Sequence, residues 1–174
     1  MNEKILTVYA PASSGNVSVG FDALGLALAP VDGSLLGDCV SIMPGRPDDW
    51  VLCLDGPFEY ALPTDQEQNI VITSCRRFEN AARAAGANIH PLNITLDKRL
   101  PVGSGLGSSA SSIVATLVAL NRFFGKPLNR FELLELLRGE APVRPHEAGV
   151  GPPGDMAETD AQLVVHATHV ELAA

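Results

Sequence analysis

Aromatic side chains are scarce. Phe, Tyr and Trp together make up 5% of a chain of 174 residues, so the core must come from Ala, Val, Ile and Leu. Apolar residues reach 46% and charged residues only 18%, which excludes a disordered chain, since those are polar and highly charged. Basic residues are also few, with 12 Lys and Arg against 20 Asp and Glu and a formal charge of −8. Nucleic acid and anionic membrane both need a basic surface, so neither is expected as a partner. Any bound phosphate must then be held locally, by backbone N–H groups or a metal. Cysteine appears three times, at Cys39, Cys53 and Cys75, with no CxxC and no zinc spacing. Free thiols in a reducing cytoplasm are expected. No stretch approaches the roughly 20 apolar residues of a membrane span. The apolar start, Ile5 to Ala10, is shorter than the roughly 7–15 residues of a signal peptide. A cytoplasmic protein is expected. Gly and Pro do not recur with a period, which excludes collagen-like and solenoid architectures.

What is present reads as a mixture of strands and helices. Ile5–Tyr9, Cys39–Met43, Trp50–Leu54 and Leu92–Asp97 have strand character, the last alternating Leu92, Ile94 and Leu96 with polar residues. A turn cluster from Pro44 to Asp49 separates the second and third. Asp65 to Ala85 predicts a helix, with Asp65 as N-cap and Gly86 as its stop. A second helix carries Ile113, Leu117, Leu120 and Phe124 on one face and ends at Gly125. Asn129 and Glu132 are spaced as a variant capping box for a third, short helix with Leu133, Leu134, Leu136 and Leu137 on its buried side. Beyond residue 140 the texture changes. Residues 141–174 hold three of the four His and no Ser or aromatic residue, and read as an atypical tail to a domain spanning 1–140, either a poorly ordered extension or sequence foreign to the fold before it.

The strongest chemical signal is Gly103-Ser104-Gly105-Leu106-Gly107-Ser108-Ser109, between a predicted strand and a predicted helix. Glycines permit positive φ and close approach of a phosphate to the backbone. Consecutive N–H groups form an anion nest, and the helix N-terminus adds unpaired donors and about half a positive charge. Together these make a phosphate site that needs no basic side chain. Ser108 and Ser109 add hydroxyls able to donate to phosphate or ligate Mg²⁺. The loop is not a Walker A loop, since no Lys occurs between Lys98 and Lys126. It is not a dinucleotide fingerprint either, because the third glycine comes one residue early. A plain Gly/Ser-rich turn capping a helix is the bland alternative.

Pro101 to Ser111 resembles the phosphate-binding motif of the GHMP kinase superfamily. The run from Ala10 to Gly25, with Pro30-Val31-Asp32-Gly33 and Leu36-Gly37-Asp38, is similar to the opening of its homoserine kinase branch. Glu67 to Val71 resembles the segment beside the nucleotide base. The resemblance covers residues 1 to about 138. It implies an α+β fold, the ribosomal-protein-S5-domain-2-like N-terminal lobe, with a mixed sheet packed on helices and a left-handed β-α-β crossover. It also implies ATP and Mg²⁺ as cofactors. Pro101, Val102, Gly103, Ser104, Gly105, Leu106, Gly107, Ser108, Ser109, Ala110 and Ser111 would wrap the phosphates. Asn69 would either touch the adenine or only cap its helix. Asn16 and Asp22 would hold the substrate, Asp22 through the ammonium of an amino acid. Ser109, and Glu140 if it is a displaced ligand, would meet the metal. No catalytic base is implied.

The implied reaction is phosphorylation of L-homoserine to O-phospho-L-homoserine, on the route to threonine. A catalytically incomplete nucleotide-binding remnant and another small-molecule kinase of the superfamily are the alternatives. The branch's enzymes run to roughly twice this length, and their Ser-Gly…His-x-Asp-Asn stretch has no match after Leu137. A truncated or frame-shifted end is therefore expected, with the second lobe absent. Apolar surface left exposed by that absence would favour self-association.

Overall fold

The computed structural model describes residues 5–15, 26–43, 45 and 47–139. Its elements are β1 (Leu6–Pro11), β2 (Ser13–Ser14), β3 (Leu26–Ala27), β4 (Gly37–Met43), β5 (Val51–Asp55), α1 (Ile70–Ala84), β6 (Asn93–Asp97), α2 (Ser108–Phe123) and α3 (Arg130–Arg138). Four strands form a mixed sheet in the order β1-β4-β6-β5, and β2 pairs with β3 in a small ribbon. The fold is α+β, as expected. The turn cluster after β4 does not close a hairpin. β4 pairs antiparallel with β6, and β5 lies parallel to β6, reached through α1. Parallel neighbours need such a long connection, whereas antiparallel ones can be joined by a tight turn.

Register explains the sheet's two faces. Leu6, Ile42, Ile94 and Leu52 align in one inner row, and Val8, Val40, Leu96 and Leu54 in the next. The outer face carries Thr7, Ser41, Thr95 and Cys53 in one row. Antiparallel sheets tolerate one wet face, and the period of two keeps these sets apart. The inner rows pack with Val71, Ile72, Cys75 and Phe78 of α1 and Leu117 and Leu120 of α2 into one core.

Local signals set the helix ends. Asp65 caps a short 3-10 turn, Gln66–Gln68, through the Glu67 amide at 3.0 Å. The α-helix itself begins at Ile70, with Asn69 as its N-cap. The expected N-cap at Asp65 is therefore four residues early. Asn129 and Glu132 form the capping box on α3. Of that helix's leucines only Leu136 is fully buried, while Leu133 and Leu137 pack on the rim of the core. The stripe predicted on α2 joins the core and sets Phe124 on Phe78 of α1 at 6.2 Å. A second, small-residue stripe of Ser108, Ser111, Ser112, Ala115, Thr116 and Ala119 is also buried, and α2 lies against β1 and β4.

The cysteines stand apart, with Cys39 and Cys75 buried and Cys53 exposed. Burial pushes both the Cys39 and the Cys75 thiol up from the ordinary cysteine range. Thiolate is the reactive form. A colorimetric thiol reagent at neutral pH should therefore find one fast site, Cys53, and the other two only after denaturation. A second fast thiol in the native protein would contradict this packing. Among the described residues no helix is long and apolar enough to cross a membrane.

Candidate active site

The loop from Pro101 to Gly107 follows β6 and opens directly into α2. Gly103, Gly105 and Gly107 have φ of +76°, +75° and +64°. A Cβ on Gly103 or Gly105 would meet only open space, whereas one on Gly107 would run into Ser13. Gly107 is the N-cap of α2 in a left-handed conformation, with no side-chain cap. The loop is braced at three points. The Ser13 amide donates to Leu106 O at 3.0 Å, the Ser104 hydroxyl to Pro101 O at 2.8 Å, and the Ser111 amide to Gly107 O at 2.8 Å.

Among the described residues, no acceptor meets the amides of Gly103, Ser104, Gly105 or Gly107, nor those of Ser108, Ser109 and Ala110 in the first turn of α2. A string of free donors at the positive end of a 16-residue helix suits a polyanion, because donors and dipole both favour negative charge there. The donor set therefore fits a nucleotide's phosphates. Ser109 is exposed at this mouth, with its hydroxyl available. Among the described residues no group of three His, Cys, Asp or Glu could hold a metal ion by itself.

The hydroxyl contact expected of Ser108 is corrected, and the Ser111 hydroxyl likewise turns inward. Ser108 Oγ turns inward and donates to Leu100 O at 3.2 Å. Ser111 Oγ donates to Ala10 O at 2.7 Å and accepts from the Asp38 amide at 3.0 Å. Both serines are buried, because their side of α2 faces the sheet. Ser108 can offer an anion its amide only. Asn69 is 1% exposed and caps α1, its Oδ1 accepting from the Val71 amide at 3.0 Å. Its Nδ2 meets no protein acceptor among the described residues. Asn16, Asp22 and Glu140 lie outside the described residues, as does the tail 141–174.

A lysine does stand near the loop, but not at its open amides. Lys98 is 1% exposed beneath the first turn of α2. Its ammonium donates to Asp38, and to Ser108 O and Ser112 Oγ, each at 3.0 Å. It points into the protein and away from the open amides. The sequence carried a signal for this pair: Asp38 is in phase with Val40 and Ile42, and Lys98 with Ile94 and Leu96. Opposite charges on the inward phase of two strands imply a buried pair.

A family model for the GHMP kinases N terminal domain matches residues 69–157. The chain belongs to the GHMP kinase family. Among solved members, homoserine kinase from Cytophaga hutchinsonii is 33% identical with a TM-score of 0.65, over 81% of this chain and 44% of that one. A provisionally assigned homoserine kinase of Listeria monocytogenes, at 22% identity and TM-score 0.54 over 82% of this chain and 46% of that one, shares the fold. So does mevalonate kinase of Methanococcus jannaschii, at 18% identity and TM-score 0.52 over 81% of this chain and 49% of that one. The chain thus spans less than half the length of these GHMP kinases. ATP-dependent phosphoryl transfer to small molecules is the family's general reaction, and its N-terminal lobe is the α+β unit described above.

Proposed function

We propose that the protein transfers the γ-phosphoryl group of ATP to the side-chain hydroxyl of L-homoserine. The observation that carries the substrate class is the 33% identity to a homoserine kinase over 81% of the chain. The open amides of residues 103–105 and 107–110 support the phosphoryl chemistry, since they can cradle phosphates and stabilise charge on the transferring group. ATP with Mg²⁺ supplies the phosphoryl group, with its charge partly neutralised by the metal. The Ser109 hydroxyl would meet the metal, joined by Glu140. Asn69 would lie on the adenine side, its Oδ1 keeping the helix capped.

On the substrate side Asp22 would pair with the ammonium and Asn16 with the remaining polar groups of the amino acid. Mevalonate has no amine, so the Asp22 role favours homoserine over it. No side chain is assigned as general base. Catalysis would rest on alignment of the hydroxyl with the γ-phosphate and on the loop's preorganised donors.

The test is a coupled assay of ADP release, run with homoserine, mevalonate and a sugar panel beside ATP binding. Homoserine-dependent turnover is expected, falling about tenfold or more in Ser109→Ala, which removes the metal-side hydroxyl. ATP binding without turnover on any substrate would overturn the kinase reading in favour of a nucleotide-binding remnant. Turnover on mevalonate or a sugar alone would overturn the substrate.

A further inference from the structure

Below the two aliphatic rows of the sheet's inner face lies a third, formed by Ala10, its register partner Asp38, and Lys98 just past the end of β6. An apolar core would be completed here by another aliphatic pair. Instead the row holds an ion pair whose side chains are 2% and 0% exposed. Well-packed apolar residues of similar volume usually serve stability as well as a buried ion pair, or better. The role of this one is legible in where its directional bonds go.

Asp38 Oδ1 accepts from the Arg99 and Leu100 amides at 2.9 and 3.0 Å. Asp38 Oδ2 accepts from Ser112 Oγ at 2.7 Å and from the Lys98 ammonium. Lys98 in turn donates to Ser108 O and Ser112 Oγ. Leu100 immediately precedes the phosphate loop, and Ser108 immediately follows it. One ion pair therefore grips both ends of the loop, and Ser108 Oγ ties those ends directly through Leu100 O.

We propose that Asp38 and Lys98, with Ser112 between them, are positioning residues for the anion-binding loop. They fix the separation of its ends and the aim of the first turn of α2. Lys98 also cancels the Asp38 charge, so a phosphate over the helix mouth does not face a bare buried carboxylate. The nucleotide part of this proposal rests on the kinase reading above, but the positioning part can be tested without nucleotide.

The experiment uses the 174-residue chain and two measurements, amide hydrogen exchange without nucleotide and titration with ATP and Mg²⁺. Asp38→Asn removes the charge, and Ser112→Ala is the milder variant that keeps the ion pair and the fold. Leu128→Ala, a core truncation beyond the far end of α2, serves as the stability-matched control. Both site variants should show faster exchange concentrated in residues 100–112. Both should bind ATP roughly tenfold to a hundredfold more weakly, as expected for a displaced binding element. Leu128→Ala should lower the denaturation midpoint while keeping the native exchange pattern at 100–112 and the native affinity. Exchange raised uniformly in the site variants, or an equal affinity loss in the control, overturns the positioning role. If the unaltered chain binds no ATP, the kinase reading fails, and the exchange arm still decides the positioning proposal.

Discussion

Lys98→Met is expected to destabilise the fold by about 3–5 kcal/mol, the loss usual when one partner of a buried pair is removed. The Lys98 side chain is 2% exposed and that of Asp38 is not exposed, so the carboxylate left behind has no water to turn to. It keeps the Arg99 and Leu100 amides and the Ser112 hydroxyl, but loses the ammonium bonded to it. Domains are stable by only about 5–15 kcal/mol, so this one change brings the protein close to unfolding. Urea denaturation followed by fluorescence of Trp50, which is buried and donates to Glu79 at 2.8 Å, reads the change directly. The double variant Asp38→Leu with Lys98→Met should recover part of the loss, because it removes the orphaned charge but leaves the Arg99 and Leu100 amides without their acceptor. A single-variant loss below about 1 kcal/mol would mean that water or another cation reaches Asp38, against the burial described here.

Gly107→Val is expected to weaken ATP binding at least about a hundredfold, equivalent to about 2.8 kcal/mol. Two effects combine. A β-branched residue at φ +64° is strained in itself, and its side chain would collide with Ser13 of β2. Ser13 also accepts no displacement freely, since its amide anchors Leu106 O. The valine must therefore push the loop off its brace and turn the free amides away from a common point. Gly103→Ala gives the contrast. Its φ is +76° but its Cβ would point into open space, so only the strain of about 1–2 kcal/mol is felt. Calorimetric titration with ATP and Mg²⁺ should rank the affinities native, Gly103→Ala, then Gly107→Val. Equal losses in both variants would show that collision with Ser13 is not what matters.

The candidate site was partly legible in advance. Glycine spacing and the position between strand and helix located the open amides, because φ > 0 and an unpaired first turn are consequences of local sequence. The orientation of the serines was not legible. Ser108, Ser109 and Ser111 have the same chemistry, and only the packing of α2 on β1 and β4 turns Ser108 and Ser111 inward and leaves Ser109 exposed. Asn69 looked like either a cap or a contact to the base. The structure shows the cap: its Oδ1 accepts from the Val71 amide, and the side chain is buried, with Nδ2 left without a protein acceptor among the described residues.

Elements whose causes lie within a few residues were determined by the sequence itself: the strand segments, the capping box of Asn129 and Glu132, and the helix stops at Gly86 and Gly125. Each depends on one or two dihedral angles or on side chains three or four positions apart. Tertiary structure decided whatever needs partners distant along the chain. It placed β6 between β4 and β5 and deferred the N-cap of α1 to Asn69. It also joined Asp38 to Lys98 across 60 residues. The physical reason is that a strand's hydrogen bonds and a buried charge are satisfied by whatever the fold brings beside them. A local pattern can say that such a partner is needed, and only the packed sheet and helices select which one it is.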